Sequence, residues 1–270
     1  MRTIDLINGE GFKIVTFPDG EKHIKIDPLN LKDSVSVVCR ITNSDDLFIL
    51  MQLSDILNRL EVHVAELHIK YLMGMRCDRL FSMGEAFTLK IVANVINSFN
   101  ASTVLVTEPH SLRTLNLIKN CYQEFDIWTD IENIAKNENY TLCFPDAGAA
   151  ERYEGIEGNG TLIKCRKTRN PETGQLSGFT IDEAIVGPHP ENIMIVDDLC
   201  DGGGTFLGVA ELLRKEFNPN KLILVVTHAV QEEGLKRVAE VFDEVHITDS
   251  YRNWDEWSEL PDNVNVRFTT

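Results

Sequence analysis

The chain has no apolar run of about eighteen residues, the length a membrane-spanning helix requires. Its opening residues, MRTIDLINGEGFK, hold no apolar stretch of signal-peptide length. Cysteine is sparse and unpatterned: six residues, at 39, 77, 121, 143, 165 and 200, with no Cys-x-x-Cys. That spacing argues against a disulfide framework and against a zinc site, so the thiols are expected to be reduced and the protein cytoplasmic. Positive charge is also short. Lys and Arg total 26 against 42 Asp and Glu, a formal net charge of −16. Neither duplex nucleic acid nor an anionic membrane is expected as a partner of such a surface. Phosphate ligands remain open, because local loops and a metal ion can reverse the field inside a cleft. No residue-level repeat stands out.

What is present is an ordinary globular composition, 43% apolar and 25% charged over 270 residues, enough for one large or two modest domains. Strand-like runs fall at 35–41, 62–72, 103–107, 141–144, 192–197, 221–227 and 245–248. Helical patterns fall between them, at 44–60, 85–99, 112–122, 206–217 and 232–242. Continuous rather than alternating apolar strands, interleaved with helices, predict parallel sheet covered on both faces, hence an α/β protein. The polar stretch YQEFDIWTDIENIAKNENY (122–140) separates two halves of about three strand–helix alternations each, which predicts domains at 1–130 and 131–270. A second break, KCRKTRNPETGQLSGFTID (164–182), reads as a hairpin with Pro-Glu-Thr-Gly at its tip. It carries Lys164, Arg166, Lys167 and Arg169, four cations in six residues of an acidic chain.

The densest chemistry lies in IMIVDDLCDGGGTFLGVAELLRK, residues 193–215. Asp197 and Asp198 stand where a parallel strand should end, which is where open α/β sheets bind ligands. Asp201-Gly202-Gly203-Gly204-Thr205 then opens a helix. Glycines let backbone N–H groups approach an anion, and a helix N-terminus favours negative charge there. Carboxylates accept hydrogen bonds from sugar hydroxyls but repel phosphate. A phosphorylated sugar, its diol on Asp197 and Asp198 and its phosphate in 201–205, satisfies both halves of the motif. A solvated acidic turn is the plainer alternative.

VDDLCDGGGTF resembles the phosphoribosyl-pyrophosphate motif of the type I phosphoribosyltransferase fold. Four other segments, in order along the chain, are similar to the ribose-phosphate diphosphokinase family, the phosphoribosyl pyrophosphate synthetases. FPDGEKHIKI (17–26) resembles the family's Phe-Ser-Asp-Gly-Glu segment, with Pro18 in place of serine. YLMGMRCDRLF (71–81) matches its Arg, Asp and Arg at Arg76, Asp78 and Arg79, with Cys77 where glutamine is usual. TEPHS (107–111) matches the metal-binding histidine at His110, and FPDAGAAER (144–152) carries Asp146 and Gly148 of the Ser-Pro-Asp-x-Gly segment.

The resemblance implies two tandem phosphoribosyltransferase-like domains, each a mostly parallel sheet flanked by helices, and a Mg²⁺-dependent transfer of the β,γ-diphosphoryl group of ATP to the anomeric hydroxyl of ribose 5-phosphate. It implies Phe17, Asp19 and Glu21 at a neighbouring subunit's adenine site, hence a homo-oligomer. Arg76, Asp78, Arg79 and His110 would bind ATP, with His110 and Asp146 holding Mg²⁺. Asp197, Asp198, Asp201, Gly202, Gly203, Gly204 and Thr205 would bind ribose phosphate. A Lys-x-Arg pair on a loop would close over the transferring group. Lys164/Arg166 and Lys167/Arg169 are both candidates, and hairpin geometry favours the second. Gly202 stands where the family often has a side chain, which leaves room for a larger 5-substituent such as the ADP of ADP-ribose. A non-catalytic, synthetase-like regulatory subunit is the alternative of another class. A phosphoribosyltransferase is disfavoured, since no base-recognition segment is identifiable and the first half would be unexplained.

Overall fold

The structure is a computed structural model that describes residues 2–80, 82–124, 127–137, 139–156, 161–169, 176–185 and 190–269. The chain forms two compact units, Met1–Glu124 and Phe125–Thr270.

In the first unit β1 (Arg2–Asp5) is followed by a small antiparallel hairpin, β2 (Lys13–Thr16) and β3 (Lys22–Lys25). Then come β4 (Ser34–Ile41), α1 (Ser44–Arg59), β5 (His63–Leu72), α2 (Thr88–Asn97), β6 (Thr103–Thr107), α3 (Arg113–Leu117) and β7 (Cys121–Glu124). The five-stranded sheet runs β1-β4-β5-β6-β7, with its neighbouring strands parallel. Helix α1 begins on a capping box: the Asn43 side chain accepts from the N–H groups of Asp45 and Asp46, and Asp46 accepts from the Asn43 N–H. Leu50, Leu53 and Leu57 of α1 bury against Val35, Val37, Leu67 and Ile69 of the sheet. The helix expected over 112–122 stops at Leu117, and a strand takes residues 121–124. Asn97 of α2 causes the break. Its amide donates to the Leu117 carbonyl at 2.9 Å and accepts from the Lys119 N–H at 2.8 Å, and Asn120 then turns with φ +54.

The second unit contains α4 (Trp128–Asn137), β8 (Tyr140–Phe144), α5 (Ala147–Arg152), β9 (Leu162–Arg169), β10 (Leu176–Ile185), β11 (Asn192–Cys200), α6 (Gly204–Phe217), β12 (Lys221–Ala229), α7 (Glu232–Ala239), β13 (Glu244–Thr248) and β14 (Val264–Arg267). Its seven-stranded sheet runs β10-β9-β8-β11-β12-β13-β14, with β10 antiparallel to β9 and the rest parallel. The central strands β11 and β12 are buried along nearly their whole length, as continuous aliphatic runs require when both faces are covered. The α/β class read from the sequence holds. The Pro-Glu-Thr-Gly tip, residues 171–174, lies outside the described residues. Among the described residues no helix is long and apolar enough to cross a membrane.

Candidate active site

In the first unit the turn after β5 and the turn after β6 are joined by one carboxylate. Asp78 is 7% exposed. It accepts from Arg79 Nε at 2.9 Å and from Ser111 Oγ at 2.7 Å, while Arg113 Nη1 donates to the Asp78 carbonyl at 3.3 Å. Burial pushes Asp78 upward, but hydrogen bonds from Ser111 and Arg79 and the nearby guanidinium charges outweigh it, so its carboxyl sits below the usual range. The neighbouring His110 N–H donates to Met75 Sδ at 3.4 Å, a second tie between the same turns. Asp78, Arg79 and the His110 backbone are therefore held together, with the His110, Arg76 and Arg79 side chains exposed. Phe17, Asp19 and Glu21 lie apart from them, on the β2–β3 turn. There the Phe17 N–H donates to the Glu21 carbonyl at 2.8 Å, and Gly20 has φ +93. Gln52 of α1 braces this hairpin by bonding the Ile24 N–H and the Lys22 carbonyl.

In the second unit the acidic pair sits inside β11 rather than at its end. Asp197 and Asp198 are 9% and 1% exposed. Both are gripped by one cation that sequence reasoning did not single out: Arg152 Nη1 lies 2.8 Å from Asp198 Oδ1 and 3.3 Å from Asp197 Oδ1. Burial first, then repulsion from Asp198 and Asp146, pushes the Asp197 carboxyl well above its ordinary range, with Arg152 pulling it back.

Past the strand, the loop 201–203 leads into α6. Gly203 is the N-cap residue, with φ +76 and no capping side chain, so the first turn of α6 offers backbone N–H groups without a built-in acceptor at that cap. A Cβ added at Gly202 or Gly204 would meet nothing within 4 Å.

Asp146 is the N-cap of α5 and accepts from the Ala149 N–H at 3.0 Å. Its other oxygen accepts from Lys167 Nζ at 2.7 Å. Burial raises the Asp146 pKa, yet the Lys167 hydrogen bond and charge, with the Ala149 and Gly148 amides, bring it below the usual value. The candidate cations of β9 separate by face. Ile163 and Cys165 fill the core, and Lys167 continues their side of the strand to reach Asp146. Lys164 and Arg166 alternate to the other side and pair with Glu183 and Asp182 of β10, at 2.7 and 2.8 Å. Arg169 ends β9.

No protein-family model matches the chain. It is 27% identical over 246 residues to the ribose-phosphate pyrophosphokinase of Pyrococcus furiosus, which covers 88% of this chain and 85% of that protein. It is 28% identical over 227 residues to the ribose-phosphate pyrophosphokinase of Sulfurisphaera tokodaii, covering 79% and 75%. The solved phosphoribosylpyrophosphate synthetase from Mycobacterium smegmatis superposes with a TM-score of 0.73 over 95% of this chain and 85% of that one; at 18% identity it establishes the fold. Along most of its length the chain is similar to ribose-phosphate pyrophosphokinases.

Two further residues shape the second unit and left little mark in the sequence. Phe179, opposite Lys167 in the β9–β10 register, lies so close to Gly208 of α6 that a Cβ there would fall 2.3 Å from the ring. The cation-bearing hairpin is thus seated on the helix that the glycine loop opens. Arg152 had a signal, the Glu-Arg at the end of FPDAGAAER. Only the packing of α5 beside β11 makes it a partner of Asp197, 45 residues away, and of Asp198 next to it.

Proposed function

We propose that the chain is a Mg²⁺-dependent ribose-phosphate diphosphokinase that converts ATP and ribose 5-phosphate into AMP and 5-phosphoribosyl 1-pyrophosphate. The anomeric oxygen attacks the β-phosphorus, the bond from that phosphorus to the α,β-bridging oxygen breaks, AMP leaves with that oxygen, and the hydroxyl proton passes to solvent. The observation that carries this reading is the placement of Lys167 on Asp146, whose charge is in turn felt by Asp197, so that a cationic strand and a phosphosugar loop converge in one unit. Diphosphoryl transfer depends mainly on positioning and charge neutralisation. Lys167 and Arg169 neutralise charge on the transferring group, and Arg76 and Arg79 grip the triphosphate. Asp197, Asp198 and Asp201 orient the ribose, while Gly202 to Thr205 bind its 5-phosphate.

The Asp146 carboxylate is the kind of oxygen donor a hard cation takes. Asp146 favours its ionised form and already holds an ammonium group at 2.7 Å. Magnesium held at Asp146 would neutralise and align the polyphosphate, and the resemblance gives His110 of the first unit a metal-binding role as well. Assembly into at least a dimer follows from giving Phe17, Asp19 and Glu21 a neighbour's adenine. The 44% exposure of Phe17 on its turn supports that role. Free thiols at all six cysteines support a cytoplasmic setting.

A second reading keeps the chemistry and enlarges the acceptor to a 5-substituted ribose such as ADP-ribose. The open space at Gly202 favours it. A non-catalytic regulatory subunit has less support, because the loop cations and both proposed metal ligands are present. Incubation with ATP, Mg²⁺ and either ribose 5-phosphate or ADP-ribose, resolving AMP from ADP, tests all three. AMP with ribose 5-phosphate supports the first reading, and AMP with ADP-ribose alone moves the assignment to the second. ADP in place of AMP, or no turnover with either acceptor, sinks diphosphoryl transfer.

A further inference from the structure

We propose that α7 is a brace that sets the shape of the ribose-phosphate loop, with Gly234, Arg237 and Gln231 as positioning residues. The inference rests on the phosphosugar reading of residues 201–205. A Cβ on Gly234 would lie 1.8 Å from the Asp201 carbonyl oxygen, 2.9 Å from its carbonyl carbon and 3.0 Å from Gly202 Cα. All three are backbone atoms, so no rotamer change relieves the overlap, and the loop itself must move. The approach is matched from the other side. A Cβ on Gly203 would lie 2.9 Å from Val238 Cγ1 and 3.1 Å from the Gly234 carbonyl oxygen. Loop and helix therefore meet backbone to backbone, glycine on each side.

Arg237 of α7 and Gln231, its N-cap residue, then fix the loop's acceptors. Arg237 Nη1 donates to the Gly202 carbonyl at 2.9 Å, and Gln231 Nε2 donates to Asp201 Oδ1 at 2.6 Å. The chain entering α7 is tied to the end of β11 as well, since the Val230 N–H donates to the Cys200 carbonyl at 2.9 Å. In a planar trans peptide the C=O and the following N–H point in opposite directions. Pressing the Asp201 carbonyl onto Gly234 therefore directs the Gly202 N–H away from α7, towards the side on which a ligand phosphate would sit. The brace selects one orientation of a loop whose glycines would otherwise permit many. It is a sequence-distant device: Arg237 lies 35 residues beyond the Gly202 carbonyl it holds.

The experiment measures calorimetric binding of ribose 5-phosphate and steady-state kinetics for the full-length protein, its Gly234→Ala variant, the surface double variant Gln231→Ala/Arg237→Ala, and Arg237→Lys. The double variant removes two hydrogen bonds and should raise the KM and Kd for ribose 5-phosphate by about tenfold. The KM for ATP and the melting temperature should hold, kcat should change far less, and Arg237→Lys should recover part of the affinity. Gly234→Ala should weaken the same ligand more strongly; should it fail to fold, the double variant decides. Unchanged ribose phosphate affinity in the double variant, or equal losses for both substrates, overturns the brace. A full-length protein that binds no ribose phosphate at all sinks the phosphosugar reading itself.

Discussion

Replacing Lys167 by methionine separates the electrostatic role of this cation from its bulk. Its Nζ lies 2.7 Å from Asp146 Oδ2, and the two side chains are 30% and 28% exposed, so the pair is neither a surface bridge nor fully enclosed. Exposed pairs contribute about 0–1 kcal/mol and breaking an enclosed pair costs about 3–5 kcal/mol, which brackets this loss at about 1–3 kcal/mol near neutral pH. The pH dependence has a definite sign. The Asp146 pKa is depressed in the fold, so its contribution is present above the unfolded value of 3.8 and fades as pH falls through the lower folded value. Without Lys167 the burial effect, the largest acting on Asp146, loses its main opponent, and the carboxyl titrates higher. The stability gap between the two proteins should be widest near neutral pH and should close only as pH falls below 3.8, through the depressed value of the native carboxyl. Thermal melts across that range measure it. In catalysis the same variant should lower kcat by about 10² or more, with little change in the KM for ribose phosphate. Lys164→Ala/Arg166→Ala should do much less, because both residues are spent on Glu183 and Asp182 of β10. A pH-independent stability gap would refute the electrostatic argument. Loss of turnover in the Lys164/Arg166 variant with none in the Lys167 variant would put the catalytic face on the wrong side of β9.

Arg152→Met should destabilise the fold by about 3–5 kcal/mol at pH 7, since it leaves two enclosed carboxylates without their cation. The loss should be smaller near pH 4, because Asp197, already pushed up, can then take a proton, and equal melting-temperature shifts at both values would refute this. His110→Ala removes an exposed side chain, so turnover should fall by about 10² while the melting temperature holds; unchanged activity removes His110 from the metal site. Alanine at Phe17, Asp19 and Glu21 together should cut turnover and raise the KM for ATP, and sedimentation showing a fully active monomer would take the adenine role from all three.

What the sequence disclosed follows from where the information is local. The strands β11 and β12 announce themselves because a strand covered on both faces must be aliphatic throughout. By contrast β1 buries only Ile4 and β3 only Ile24, too little to form a pattern, and both went unread. The strand β7 was hidden inside a helical period because the break depends on Asn97, a residue of another helix. The site divides in the same way. The aspartates and glycines of 197–205 are legible because acid, backbone freedom and helix start are neighbours in the chain. Arg152, Gly208 and Gly234 act only through packing against distant segments, and a lone arginine or glycine carries no sign of that. The Lys-x-Arg choice is the intermediate case. Residues 164 and 167 differ by an odd number, so on a strand Lys164 and Lys167 face opposite sides. Sequence alone leaves open which side is which. The burial of Ile163 and Cys165 fixes the faces: Lys167 shares their side and emerges beside Asp146, whereas Lys164 and Arg166 lie on the side that β10 neutralises with its own acids; which pair serves a ligand is left to the variants above.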